Sequence, residues 1–138
     1  MTKTEWEDKF SVKVRALDDD HKMILDLINQ LHEVYAANKG LDDIENVFAV
    51  LMTYTEGHFT REEDLMARAH FPGMESHVAG HREIKKELDV LHKRFLAGEK
   101  AVMLDLLAFL NNWWHFHILE EDHAYVGALL KEGLTDKA

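Results

Sequence analysis

Apolar residues recur every three or four positions along most of the chain, in four stretches separated by short breaks rich in glycine, proline or acidic residues. That spacing gathers apolar side chains on one face of an α-helix, so it predicts helices that each bury a stripe. The first stripe is Leu17, His21, Ile24, Leu25, Ile28, Leu31 and Tyr35; it predicts a helix over about Asp19 to Asn38. Asp18, Asp19 and Asp20 open it, and Lys39-Gly40 stops it. The second stripe, Ile44, Val47, Phe48, Leu51, Thr55, His58, Glu62, Leu65, Met66 and Ala69, predicts a helix from Asp42 to about Ala69, broken by Phe71-Pro72-Gly73. The third has the strictest period, Met74, His77, His81, Ile84, Leu88, Leu91 and Phe95, and predicts a helix from Met74 to Leu96 before Gly98. The fourth, Met103, Leu106, Leu107, Leu110, Trp113, Trp114 and His117, predicts a helix over about Lys100 to Leu130.

The N-terminal residues follow a different rule. Phe10, Val12 and Val14 alternate with Ser11 and Lys13, which predicts an extended arm over 1–18 laid against the body, with Trp6 as its anchor. Four amphipathic helices with short connections predict an all-α, up-down-up-down four-helix bundle over 19–131, with a polar tail over 132–138. Gly57, inside the second helix, costs about 1 kcal/mol relative to alanine, and marks a place where another backbone could approach.

Composition narrows the class. A chain of 138 residues, 46% hydrophobic and 30% charged with one proline, reads as one soluble helical domain. No apolar run approaches the roughly 20 residues of a membrane span, and the first residues carry no apolar signal region, so a cytoplasmic protein is expected. The absence of cysteine excludes disulfides, iron–sulfur clusters and thiolate zinc sites. A net charge of −10 argues against nucleic acid as a partner.

The polar residues inside the stripes carry the chemistry. A carboxylate such as Glu62 in a core stripe is costly unless it is paired or bound to a metal. The chain has ten histidines, and His21, His58, His77, His81 and His117 bring at least one to every stripe. One histidine on an apolar face reads as a core residue satisfied by its neighbours. Five of them spread over four helices would need five sets of partners, which one metal centre supplies more simply. His32, His70, His92, His115 and His123 fall off the stripes or near helix ends and read as solvated. Glu63, Glu120 and Glu121 read as a charged face or as groups behind the ligands, and Trp113 and Trp114 as core packing that can wall His117. On spacing alone His117 pairs with Glu121, about 40° around a regular helix, whereas Asp122 stands about 140° away.

In order along the chain, His21 within Asp20-His21-Lys22, His58-Phe59-x-x-Glu62-Glu63-x-Leu65-Met66, His77-x-x-x-His81 and His117-Ile118-x-x-x-Asp122 resemble the ligand signature of the hemerythrin family, its single-domain bacterial members (bacteriohemerythrins) above all. The resemblance spans essentially the whole chain. It implies two iron ions (Fe2+/Fe3+) with an oxo or hydroxo bridge, held by His21, His58, Glu62, His77, His81, His117 and Asp122. Glu62 and Asp122 would bridge both irons, with His77, His81 and His117 on one and His21 and His58 on the other. For Asp122 to join His117, either the two side chains reach in from different angles or the helix is locally widened.

Counting then places the ligand. Five nitrogens and two bridging carboxylates make nine metal bonds and a solvent-derived bridge makes eleven, whereas two octahedra need twelve. The open position falls beside His21 and His58, where dioxygen would bind. The resemblance implies reversible oxygen binding rather than catalysis, with an oxygen-consuming enzyme as one recipient. Carboxylate-rich di-iron bundles use four Glu and two His; five neutral nitrogens in an apolar surround favour holding oxygen over cleaving it. An oxygen sensor, or a peroxidase or ferroxidase on the same site, is the alternative; the enzyme reading needs a proton donor near the open position, and none stands out. The same donors accept manganese or zinc. With its stripes buried, a monomer is expected.

Overall fold

Helical spacing decides the architecture throughout the described residues, 4–99 and 101–134 of the computed structural model, which contain no strand. The residues Met1–Lys3 of the arm, the expected start of the fourth helix at Lys100 and the end of the tail, 135–138, lie outside them. Helix α1 spans Arg15–Ala36, α2 Leu41–Arg68, α3 Met74–Leu96 and α4 Val102–Phe116. Each packs on its sequence neighbours, and α1 meets α4 to close the ring. The result is the expected all-α, four-helix bundle. None of the helices is long and apolar enough to cross a membrane.

Three sequence expectations shift in detail. Helix α1 begins at Arg15, not Asp19, so the acidic run lies within the helix instead of capping it. Asp18 turns back on the arm: Oδ1 accepts the Val12 N–H at 2.8 Å and Oδ2 accepts the Ser11 hydroxyl at 2.6 Å. The arm also makes one 3-10 turn, Asp8–Phe10. At the other end of α1 it is Asn38 (φ 58°), not Gly40 (φ −64°), that adopts the left-handed conformation which ends the helix. The third departure is in the fourth helix, which is not regular to its end. His117–Glu121 is a π-helical turn, Asp122–Tyr125 a 3-10 turn, and a short α5, Val126–Lys131, follows.

The core comes in two parts. The larger packs Ile24, Leu31, Phe48, Leu51, Leu91, Leu106 and Leu110 with their neighbours from all four helices. The smaller joins Val12, Val14 and Leu17 to Leu65, Met66, Tyr125 and Leu129. Trp6 anchors the arm as expected, half-buried with its ring 5.7 Å from Phe10 and 6.2 Å from Trp114. Trp114 packs on Phe10 at 4.8 Å and donates its indole N–H to the His21 carbonyl at 3.0 Å. It therefore belongs to the arm contact, and only Trp113, 5.9 Å from the His117 ring, walls that histidine.

Among the described residues no second backbone approaches Gly57. A methyl there would meet only the Arg61 guanidinium at 3.5 Å, an ordinary contact. Gly57→Ala is therefore expected to raise stability by about 0.5–1 kcal/mol through the lower entropy of the unfolded chain. A higher urea midpoint checks this; a lower one would mean that the Arg61 side chain cannot give way.

Candidate metal centre

Between the two parts of the core lies a layer of buried polar side chains, one helical turn from apolar residues on either side. His21 comes from α1 between Leu17 and Ile24, His58 and Glu62 from α2 before Leu65, His77 and His81 from α3, and His117 and Asp122 from the irregular end of the fourth helix. Glu62, His81 and Asp122 are wholly inaccessible, and the other four are at most 5% exposed. All seven residues expected from the sequence are thus brought to one place. They form two overlapping groups of four whose donor atoms lie within 4.8 Å of one another: Glu62, His77, His81 and His117, and His21, His58, Glu62 and Asp122.

Each carboxylate divides its oxygens between the groups. Glu62 Oε1 faces the Nε2 atoms of His77 (2.6 Å), His81 (2.8 Å) and His117 (3.6 Å). Glu62 Oε2 faces those of His58 (3.1 Å) and His21 (3.7 Å). Asp122 repeats the pattern, with Oδ1 near His117 (2.9 Å) and His77 (3.1 Å) and Oδ2 near His21 (2.9 Å). Three imidazoles stand on one side and two on the other, with both carboxylates spanning them.

Asp122 reaches this position because of the π turn. A π-helix bonds i to i+5, so residues five apart come onto one face, and His117 and Asp122 are five apart. Of the two routes left open by the sequence, the local widening is the one adopted. Glu121, favoured by regular spacing, lies behind the ring instead, its Oε2 3.6 Å from His117 Nδ1. Gly80 on α3 makes room for it: a Cβ there would stand 3.2 Å from Glu121 Oε2.

The outward nitrogens of the imidazoles are held in turn. His81 Nδ1 lies 2.7 Å from Glu63 Oε2, and His58 Nδ1 lies 3.0 Å from Asp20 Oδ2. A carboxylate can only accept, so these rings carry their proton on Nδ1 and turn the Nε2 lone pair inward. Lone pairs facing carboxylate oxygens at about 3 Å repel unless a proton or a metal ion lies between them. At His21 and His77 protons serve in the metal-free protein. Burial works against a charged ring at His21 and His77, but the close approach and charge of Asp122 and Glu62 outweigh it and raise both to about 9. Burial opposes a charged His117 as well, but Asp122, Glu121 and Glu62 raise it well above its ordinary value. Burial also works against the charge on Glu62, yet His58, His117 and His21 hold it well below the usual carboxylate range. Hydrogen-bond geometry is still poor: neither Asp122 oxygen nor His117 Nε2 makes a directed bond despite the short distances. These atoms aim at a common centre rather than at each other. The donor set therefore fits a pair of cations.

Two residues of the site escaped the sequence reading. Asp20, taken there as a helix-opening residue, is 4% exposed and orients His58. Tyr125, wholly buried, donates its hydroxyl to Glu62 Oε2 at 3.2 Å, and its ring stands 5.6 Å from His77. Its place three residues after Asp122, on the same face of the chain, was the available signal, since a buried phenol needs a partner. Among the histidines read as solvated, His70 is exposed, but the others are half-buried: His92 bonds Glu45 at 2.8 Å, and His115 and His123 donate to the carbonyls of Asn111 and Ile118.

Comparison with known proteins agrees with this geometry. The family model described as the hemerythrin HHE cation binding domain matches residues 12–129. A bacteriohemerythrin of Pseudomonas aeruginosa (strain LESB58) is 32% identical over 143 aligned positions, covering 100% of this chain and 91% of the relative. That of Methylococcus capsulatus (strain Bath) is 32% identical over 117 positions, covering 85% of this chain and 88% of the relative. The crystal structure of wild-type hemerythrin superposes with a TM-score of 0.85 at 31% identity, over 93% of this chain and 98% of that one. A four-helix bundle whose histidines and carboxylates converge on a common centre, with a matching family model over most of its length, is a member of the hemerythrin family.

Proposed function

We propose that this protein, folded as one domain, binds dioxygen reversibly at a non-heme di-iron centre held by His21, His58, Glu62, His77, His81, His117 and Asp122. The observation that carries the reading is the division of both carboxylates between a three-histidine and a two-histidine side. Two iron ions so held would supply the electrons for binding oxygen, on the side where His21 and His58 leave a position open. The chain's own part is to orient and to exclude. Glu63 and Asp20 fix the tautomers of His81 and His58. Phe59 stacks on His81 at 3.8 Å, Trp113 lies beside His117, and the two parts of the core close the layer from above and below, keeping water away. The use we infer is carriage or storage of oxygen, with an oxygen-consuming enzyme as recipient.

Tyr125 gives one specific reason to keep a second reading, a peroxidase-type enzyme, because its phenol meets the expectation of a proton donor near the two-histidine side. Its proton, however, is committed to Glu62, which favours holding over cleavage. An optical spectrum of the iron-loaded, reduced protein decides between the two. The expected result is a charge-transfer band that appears with oxygen and vanishes under argon through repeated cycles. A one-way change to a ferric form, with steady consumption of peroxide, would replace the carrier reading with the enzyme.

Removing a ligand tests the assignment. His77→Ala and His81→Ala should each lose iron from the three-histidine side and cost about 3–5 kcal/mol, because Glu62 would remain buried beside a missing partner. Metal analysis and denaturation measure both, and unchanged iron content in the two variants would refute the ligand set.

Protons and metal compete for the same donors, which sets the pH dependence. His21 and His77 have folded pKa values raised to about 9 from an ordinary 6.5. Their stabilisation of the metal-free protein is complete below 6.5 and is lost as pH rises through 9. The melting temperature of the metal-free protein should therefore fall over this range, while that of the metal-loaded protein stays nearly level. A level profile in both would mean that protons do not hold the empty site together.

A further inference from the structure

Asp20 accepts four hydrogen bonds with its two oxygens. Oδ2 takes His58 Nδ1–H at 3.0 Å and Arg61 Nε–H at 2.8 Å; Oδ1 takes Arg61 Nη2–H at 2.7 Å and the Tyr54 hydroxyl at 2.9 Å. The carboxylate is buried, whereas the Arg61 side chain is 46% exposed, so a line of contacts runs from solvent through Arg61 and Asp20 to His58. A guanidinium that grips a carboxylate through two parallel N–H bonds keeps it ionised and fixes its plane. Asp20 then has one direction left for His58, and the imidazole must present Nε2 to Glu62 Oε2 and His21 Nε2, both 3.1 Å away.

The three-histidine side is arranged otherwise. Its outer carboxylates, Glu63 behind His81 and Glu121 behind His117, are 28% and 33% exposed. Of these three carboxylates only Asp20 is paired with an arginine among the described residues. On each side one ring has a buried Nδ1 without a hydrogen-bond partner, His21 on the two-histidine side and His117 on the other. On the two-histidine side the one outer hydrogen bond to an imidazole is that from His58 to Asp20.

We propose that Asp20, clamped by Arg61 and Tyr54, is the positioning residue of the two-histidine side, and that it governs the affinity of that side for metal without affecting the other. The proposal rests on the di-cation reading of the site. Arg61 cancels the charge that Asp20 would otherwise add, so this side gains orientation without becoming more anionic. Polar partners of metal-bound histidines typically contribute 10–100-fold in metal affinity.

Titration of the metal-free protein with Co2+ tests this without any oxygen chemistry, because the visible bands report each equivalent as it binds. The parent protein should take two equivalents. Asp20→Leu should bind the first as before and the second 10–100-fold more weakly. Asp20→Asn, whose amide oxygen can still accept from Nδ1, should lose less, and it keeps the size of the side chain should the leucine variant fold poorly. Arg61→Gln removes the clamp but keeps the His58–Asp20 bond, and should weaken the second equivalent by less than Asp20→Leu while sparing the first. Glu63→Gln is the control for the opposite side and should spare the two-histidine bands. Equal weakening of both equivalents in the Asp20 variants, or weakening of neither, would overturn the positioning role while leaving the di-cation site standing. A parent protein that takes fewer than two equivalents would overturn the di-cation reading itself.

Discussion

Two carboxylates buried without access to water set the terms for the rest of this molecule. Taking an ionised carboxylate out of water costs several kcal/mol even after relaxation, so Glu62 and Asp122 can lie at the centre of the bundle only if positive charge lies between them. The imidazoles answer that demand, and the helices answer the imidazoles: each of the four contributes at least one, at a height set by its stripe. The apolar core is divided for the same reason. A continuous core would leave the carboxylates no polar neighbours, whereas a polar layer between two apolar parts keeps them both satisfied and dry.

What could be read from the sequence follows from how regular each element is. Helix α3, with the strictest stripe, has the bounds expected of it, and His77 and His81 stand where an i, i+4 pair must stand. Glu62 was legible as a carboxylate in an apolar face. Asp122 was not legible from physical spacing, because 3.6 residues per turn put it on the wrong side; only the family resemblance pointed to it, and the π turn explains why. Asp20 was hidden by its neighbours, since in a run of three acidic residues the capping role is the simplest one. The arm contributed to that error. Helix α1 begins a turn early, at Arg15, and the tether from Asp18 to Ser11 and Val12 is a contact between segments that periodicity does not encode.

The π turn also makes the divided carboxylates possible. In a regular helix Glu121 would occupy the inner position and Asp122 would point away, leaving His117 with one carboxylate and the two-histidine side with one fewer. Widening the helix by one residue places Asp122 inside and Glu121 behind the His117 ring, so that the same imidazole has a carboxylate near each nitrogen. The 3-10 turn that follows, Asp122–Tyr125, then brings the Tyr125 hydroxyl back onto Glu62. Departures from regular helix are thus concentrated in the one segment that serves both sides of the site.

The contrast between the outer partners of the imidazoles gives the two sides different characters although they share their carboxylates. Behind His81 and His117 stand Glu63 and Glu121, part-exposed anions, of which Glu63 bonds its ring at 2.7 Å and Glu121 lies 3.6 Å from the other. Behind His58 stands a carboxylate whose charge is already matched by Arg61. The side with three nitrogens therefore offers the larger donor set, and would hold a metal ion through His77, His81 and His117 together with the shared carboxylates. The side with two nitrogens is less anionic and one ligand poorer, yet its geometry is held by four hydrogen bonds converging on Asp20. On the carrier reading proposed above, a position that exchanges a small ligand without losing its metal would need that combination: restrained charge and an imidazole that cannot turn away.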